Sequence, residues 1–224
     1  MCEILVVRSK TPRSFSEFKE QGRRMEYYGS AKFGWGVAWL ESGQVQRYRS
    51  LGQLADDPKD ANFLNDVEST HFLIHFRRPS KLSTVQIEDT QPFMNDEQTV
   101  AFVHNGYFAN EMEYRPTYAD RCVGAADSEI GFLMFQDLVA AGVPMDEAMQ
   151  VVYSKLGGSA NLAAIDSDGA VALYSNNHGN RLWTFRVKDA VIAATQLHSA
   201  DNSLFDLVFP DSTERSVVEG RATI

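Results

Sequence analysis

Short apolar segments alternate with turn signals along most of the chain, and their β-branched and aromatic residues favour strands. The strands predicted in the first half are residues 2–7, 34–40, 44–48, 70–76 and 99–103. Those predicted in the second half are residues 161–165, 170–174, 182–187 and 191–195. Asp168-Gly169 is a hairpin signal that joins the first two strands of the second group.

Two helices are predicted between these groups of strands. Residues 128–141 carry apolar side chains at helical spacing, and residues 144–156 open with proline, which suits a first helical turn. The polar segment 10–28 is partly helical in pattern, and the tail from Thr213 is expected to be loosely held. Strands followed by adjacent helices and more strands disfavour an alternating, doubly wound sheet. The order predicts an α+β protein of antiparallel sheets and helices.

Composition narrows the class of protein. The 224 residues, 44% of them hydrophobic, are enough for one large domain, and we expect a single domain over residues 1–224. The net charge of -9 argues against nucleic acid and anionic membranes as partners. No apolar run approaches the roughly 18 residues of a membrane helix. Two cysteines and no secretory signal indicate a cytoplasmic protein.

Cys2 is the first residue that could carry chemistry. If Met1 is removed, Cys2 owns both a thiol and a free α-amine. An α-amine with a reference pKa of about 7.7–8.0 suits a general base, and an activated thiolate is a strong nucleophile. The alternative is a small buried thiol at the start of a strand. We expect a chain that keeps Met1 to be an inactive precursor with Met1 at or near the substrate pocket.

Asn105-Gly106 directly follows a predicted strand and supports two interpretations. Asn-Gly is the strongest short hairpin signal. An asparagine amide beside a glycine N–H at the end of a sheet can also form an oxyanion hole.

Charged residues and histidines follow or open other elements. Arg77 could bind a carboxylate through two hydrogen bonds, or form a surface ion pair. Asp127 could receive a substrate ammonium, or cap the helix that follows it. His71 and His75 are four residues apart, but in a strand that spacing separates them by about 13 Å at ~3.3 Å per residue. We therefore expect no metal site.

Six motifs follow one another along the chain: Met1-Cys2-Glu3-Ile4-Leu5, Gly34-Trp35-Gly36-Val37, His75-Phe76-Arg77, Thr90-Gln91-Pro92-Phe93, Val103-His104-Asn105-Gly106 and Asp127-Ser128-Glu129. In order and spacing this series resembles the class II glutamine amidotransferases of the N-terminal-nucleophile hydrolase superfamily. The resemblance covers roughly residues 2–195. It implies an αββα sandwich, in which two antiparallel sheets lie between layers of helices.

The resemblance also implies a role for each candidate residue. Cys2 would attack the γ-carbonyl of glutamine or a γ-glutamyl group, and its α-amine would take the thiol proton through a water. Asn105 and Gly106 would stabilise the oxyanion, Arg77 would bind the substrate α-carboxylate, and Asp127 would bind the α-ammonium. Water would then hydrolyse the thioester. No metal and no cofactor is expected.

Three functions fit this resemblance. The first is hydrolysis of a γ-glutamyl bond without a partner, as in standalone relatives of the ergothioneine-pathway and glutathione-degrading type. The second is a glutaminase subunit that feeds ammonia to a separate synthase, and the third is a non-catalytic γ-glutamyl-binding domain. About 30 residues follow the resemblance, too few for another domain. Phe33 and Arg78-Pro79-Ser80 depart from the family pattern, which puts the substrate's identity in doubt.

Overall fold

The computed structural model describes residues 2–29, 31–56, 59–197 and 203–224. Two antiparallel sheets pack face to face and carry helices on their outer faces, so the predicted αββα sandwich is confirmed. The strands are β1 Glu3–Ser14, β2 Trp35–Glu41, β3 Gln44–Ser50, β4 Glu68–Phe76, β5 Phe93–Met94, β6 Val100–Tyr107, β7 Ser159–Asp166, β8 Val171–Ser175, β9 Leu182–Val187, β10 Ala190–Thr195, β11 Thr213–Val217 and β12 Gly220–Thr223. The α-helices are α1 Ser16–Tyr28, α2 Glu111–Tyr114, α3 Asp127–Ala140, α4 Met145–Leu156 and α5 Ser203–Val208.

The two sheets differ in size and in how the chain enters them. The seven-stranded sheet has the order β11-β9-β10-β1-β4-β2-β3, and the five-stranded sheet has the order β12-β8-β7-β6-β5. In the larger sheet β1 lies between β10 and β4, with Leu5 opposite both Ala194 and Ile74. The start of the chain is therefore a central strand of the larger sheet.

Alternating apolar side chains build three layers of core. Leu5 and Val7 of β1 pack with helix α1 on the outer face of the larger sheet. Ile4 and Val6 point the other way and pack between the two sheets. Helices α3 and α4 cover the outer face of the smaller sheet. Because successive residues of a strand face opposite ways, this alternation assigns a face to each functional residue at the strand ends.

Two predictions about the outer segments need correction or completion. The tail from Thr213 was expected to be loosely held, and that prediction is wrong: β11 pairs with β9 and β12 pairs with β8, so the tail adds an edge strand to each sheet. The segment 10–28 resolves into the second half of β1 and helix α1. Among the described helices, none combines the length and apolarity that spanning a membrane requires.

Candidate active site

Cys2 lies directly before β1, at one end of the sandwich. It is two residues before Ile4 and so falls on the face of β1 that is turned toward the smaller sheet. Its sulfur accepts a hydrogen bond from the Arg78 N–H (3.2 Å) and lies 3.4 Å from the Arg78 carbonyl oxygen, to which the thiol donates. The backbone after β4 thus fixes the sulfur.

The surroundings keep this sulfur protonated. Burial raises the pKa of the Cys2 thiol to about 11, while the Arg78 N–H and the Arg77 charge pull in the opposite direction without cancelling it. A thiol with this pKa is not a nucleophile at neutral pH, because the thiolate is the reactive form. The site therefore requires a base for Cys2.

Asn105 and Gly106 lie inside β6, opposite Asn161 and Ala160 of β7, and not in a turn. The hairpin interpretation of Asn105-Gly106 is therefore wrong, because the strand continues to Tyr107. Asn105 shares the inter-sheet face of Val103. Its side chain is fully buried, and neither amide atom has a hydrogen-bond partner among the described residues.

Gly106 has no room for a side chain. Its φ is +151°, and a Cβ atom would lie 1.8 Å from the Ser159 carbonyl oxygen. Glycine is the residue that meets both conditions.

A side-chain amide holds the end of β6 in place. The Gln91 Oε1 accepts from the His104 N–H (2.5 Å), and the Gln91 Nε2 donates to the His104 carbonyl oxygen (3.1 Å). Gln91 thus extends the pairing of β5 and β6 beyond their two paired residues. The segment crosses β2 closely, since a Cβ on Gly36 would lie 2.3 Å from the Gln91 carbonyl oxygen. These contacts give the Gly34-Trp35-Gly36 and Thr90-Gln91-Pro92-Phe93 motifs a positioning role.

Arg77 follows β4 and is 96% buried, so its interpretation as a surface arginine in an ion pair is wrong. Its Nη2 donates to Thr84 Oγ1 (2.8 Å), whereas Nη1 has no partner in the part of the chain that the structure describes. Burial lowers the pKa of Arg77, and the nearby Asp89 opposes that shift. A buried guanidinium with a free N–H group can bind a carboxylate.

Asp127 is the first residue of α3, whose cap position is occupied by Ala126 without a side-chain hydrogen bond. The helix-cap interpretation of Asp127 is therefore wrong. Its Oδ2 accepts instead from the Phe108 N–H (2.7 Å), just beyond β6. This bond ties the carboxylate of α3 to the strand that carries Asn105.

Two buried carboxylates hold the segment before Asp127: Asp89, which the sequence did not single out, and Glu129 of the Asp127-Ser128-Glu129 motif. Asp89 Oδ1 accepts from the N–H groups of Ala125 (2.8 Å) and Ala126 (2.7 Å). Glu129 accepts from the N–H groups of Val123 and Gly124, the two residues before Ala125. Four consecutive amides are thus bound, which fixes the path of the chain into Asp127.

The candidate residues meet at one cleft. Cys2, Arg77, Gly106 and Asp127 all line it, and Asn105 lies buried directly before Gly106. The predicted residues therefore come from β6, α3, the loop after β4 and the residue directly before β1. Cys122 is a free thiol elsewhere, packed beside the core under α3 and α4.

A second polar network lies behind the nucleophile and was not predicted. Thr195 Oγ1 donates to Glu3 Oε2 (2.5 Å) and accepts from the Ile4 N–H (2.9 Å). Asn180 Nδ2 donates to the Cys2 carbonyl oxygen (3.4 Å). Burial raises the pKa of Glu3 to about 8, against the opposing hydrogen bonds from Thr195 and Asn180. The carboxyl next to Cys2 is therefore mostly protonated at neutral pH.

The histidines do not form a metal site in the described structure. The Thr70 hydroxyl lies 2.8 Å from the His71 Nδ1 atom, and burial lowers the pKa of His75 to about 3. No group of three or more potential metal ligands occurs among the described residues. Met1, which was expected at the pocket, lies outside the described residues.

Comparisons with known proteins agree with this fold. The family model "Glutamine amidotransferases class-II" matches residues 1–206. The glutamine phosphoribosylpyrophosphate amidotransferase from B. subtilis has 14% identity and a TM-score of 0.75, covering 100% of this chain and 49% of its own. The chain thus spans about half the length of that enzyme. A class-II domain protein from Silicibacter pomeroyi has 17% identity and a TM-score of 0.62, covering 100% and 98%. No curated protein sequence matches the chain.

Proposed function

The chain belongs to the class-II glutamine amidotransferases, and on that premise we propose that it hydrolyses the amide bond of γ-glutamyl compounds, glutamine among them. Cys2 is the nucleophile, Asn105 and Gly106 stabilise the oxyanion, and Arg77 and Asp127 bind the glutamyl head. Both cysteines are free thiols, which supports the cytoplasm, a reducing compartment, as the location of the protein.

A single observation carries the proposal: the Cys2 sulfur, a buried cation and an anchored anion all line one cleft. The α-carbon end of a γ-glutamyl substrate carries one carboxylate and one ammonium. Arg77 and Asp127 offer the complementary charges at the same cleft as the Cys2 sulfur. A substrate bound by both charges presents its γ-carbonyl to that sulfur.

The first step forms the sulfur–carbon bond. Because burial keeps the sulfur protonated, a base must take the thiol proton, and that proton passes to the α-amine of Cys2 through a water. Negative charge then develops on the carbonyl oxygen. The Asn105 amide and the Gly106 N–H donate to it. Because β6 already holds both donors in place, they need not reorganise as the charge develops.

The second step breaks the carbon–nitrogen bond. The α-ammonium returns its proton to the departing nitrogen, which leaves as ammonia or an amine, and a thioester of Cys2 remains. Water adds to the thioester through the same oxyanion, and glutamate leaves while the thiol is restored. No step is an oxidation or a reduction, and Cys2 ends the cycle as a free thiol.

A second candidate is a glutaminase subunit that supplies ammonia to a separate synthase. The comparison that favours it is the B. subtilis amidotransferase, of which this chain matches about half. In that case a partner would take the ammonia.

A substrate panel tests these functions. Protein shown by intact mass spectrometry to begin at Cys2 is incubated with glutamine and with γ-glutamyl amides, and glutamate release is measured. Turnover of several γ-glutamyl amides without a partner supports the hydrolase, and turnover of glutamine that rises with an added synthase supports the subunit. Binding without turnover identifies a γ-glutamyl-binding domain and refutes both enzymatic functions.

Activity should scale with the fraction of chains that begin at Cys2. The peptide nitrogen of an unprocessed chain has no basic lone pair and cannot take the thiol proton. Full activity in protein shown to retain Met1 would exclude the α-amine as the base.

A further inference from the structure

The rim of the cleft carries two cations beyond the one that binds the glutamyl head. Arg78 and Lys81 both line the cleft, and both side chains are exposed. The whole chain has a net charge of -9, so two neighbouring positive charges at the rim contrast with the excess of acidic residues in the chain. The two residues belong to the loop that follows β4.

Arg78 and Arg77 are adjacent in the chain but differ in burial. Arg77 is buried, whereas the Arg78 side chain is exposed at the rim of the cleft. The backbone of Arg78 contacts the Cys2 sulfur through both its N–H and its carbonyl oxygen. The Arg78 side chain therefore starts beside the reacting sulfur and is exposed to solvent, within reach of a group attached to the scissile nitrogen.

The acids of the cleft form no ion pair with these two cations. Glu111 is paired with Arg115 at 2.9 Å. Asp89 accepts from two backbone amides and from Gln86 Nε2, and Asp127 is bound to the Phe108 N–H. Within the described ranges of the chain, neither Arg78 nor Lys81 has an ion-pair partner. The rim thus offers unpaired positive charge to whatever lies beyond the amide nitrogen.

We propose that the enzyme prefers γ-glutamyl substrates whose leaving amine carries a carboxylate, that is, γ-glutamyl amino acids and peptides, and that Arg78 and Lys81 bind that carboxylate. The inference rests on the proposed hydrolysis of γ-glutamyl amides. It adds the chemical class of the leaving group. Ammonia, the leaving group from glutamine, has no carboxylate for these two cations to bind.

The test compares two substrates that differ in one charge. γ-Glutamylglycine and γ-glutamylglycinamide have the same scissile bond and nearly the same shape, and kcat/KM is measured from glutamate release. Glycinamide is the weaker base and so the better leaving group, which means that intrinsic reactivity opposes the expected preference. The variants are R78Q, K81Q and the double variant R78Q/K81Q. The control for loss of an exposed lysine is K10Q. Lys10 is about eight residues from Cys2 along the chain, which at ~3.3 Å per strand residue places it far from the sulfur.

The expected preference follows from the strength of exposed ion pairs. Such a pair contributes about 0.2–1 kcal/mol, and ~1.4 kcal/mol is a tenfold ratio, so each cation should add up to about fivefold. We expect γ-glutamylglycine to be favoured about two- to twenty-five-fold, each single variant to lose part of that ratio, and R78Q/K81Q to abolish it. Added salt should reduce the ratio in the wild type, and K10Q should preserve it.

The test distinguishes failure of the proposed hydrolysis from failure of the proposed carboxylate site. If the protein that begins at Cys2 turns over neither glutamine nor either dipeptide substrate, the proposed function itself fails. If it turns over both dipeptide substrates with equal kcat/KM, or keeps its preference in R78Q/K81Q, hydrolysis stands and the carboxylate site is refuted.

Discussion

Replacing Glu3 by glutamine should change how stability depends on pH. Glu3 is fully buried beside the nucleophile, and its carboxyl accepts from the Thr195 hydroxyl. A glutamine side chain has nearly the same shape and keeps an acceptor for Thr195, but it cannot ionise. The substitution therefore removes the titration and leaves the packing in place.

The sign and size follow from the pKa of Glu3. Burial raises it from 4.5 to about 8, so the folded protein holds a proton that the unfolded chain releases above pH 4.5. Stability from this group is complete below pH 4.5 and is lost as pH rises toward 8. Each pH unit in that window removes about 1.4 kcal/mol. The total is about 5 kcal/mol, which is a large part of the usual stability of a domain.

Urea denaturation of wild type and Glu3→Gln between pH 5 and 9 measures this difference. Mass spectrometry confirms that both proteins have the same first residue, and Glu147→Gln on the solvent side of α4 controls for the lost carboxyl. The stability of Glu3→Gln relative to wild type should rise by about 1.4 kcal/mol per pH unit up to pH 8 and then level off. Parallel curves for wild type and Glu3→Gln would show that Glu3 is already ionised in the folded state, which would refute the reasoning.

Three further predictions concern the cleft and are measured by steady-state kinetics on γ-glutamyl substrates. Cys2→Ala should abolish turnover while Cys122→Ala leaves it nearly unchanged, and equal loss from both would contradict the choice of nucleophile. Arg77→Lys and Asp127→Asn should each raise KM sharply, because lysine cannot make the paired hydrogen bonds of arginine and asparagine lacks the charge for the ammonium; unchanged KM values would overturn this recognition scheme. Asn105→Ala should lower kcat by a factor that corresponds to about 2.7–4 kcal/mol, the usual contribution of one oxyanion donor, and an unaltered kcat would locate the oxyanion elsewhere.

Local patterns predicted most of the fold. The β-branched and aromatic content of strands 70–76 and 182–187, the helical stripe of 128–141 and the Asp168-Gly169 hairpin signal are local features of the sequence. The structure confirms all four elements. The tail beyond Thr213 was predicted wrongly because its strands are stabilised by partners about 30 to 50 residues away. Nothing in its own polar sequence indicates those partners.

The residues of the site also separate into those that the sequence could predict and those that it could not. Motif residues such as Arg77 could be found by their order along the chain, although their roles stay predictions. The supporting residues could not be found, because their contacts join distant positions: Thr195 to Glu3 across 192 residues and Asn180 to Cys2 across 178. Asp89 has no local signal either, since its role is to bind amides 36 and 37 residues further on.

The central place of β1 has a consequence for the order of events during synthesis. Its two neighbours are β4, which the ribosome makes early, and β10, which ends at Thr195. Until β10 has emerged, one edge of β1 lacks its pairing partner, and the sheet that holds Cys2 cannot close. Such long-range pairing is slow to form. We therefore expect the amino end of the nascent chain to stay accessible to an aminopeptidase through most of translation, with folding of the nucleophile's strand completed afterwards.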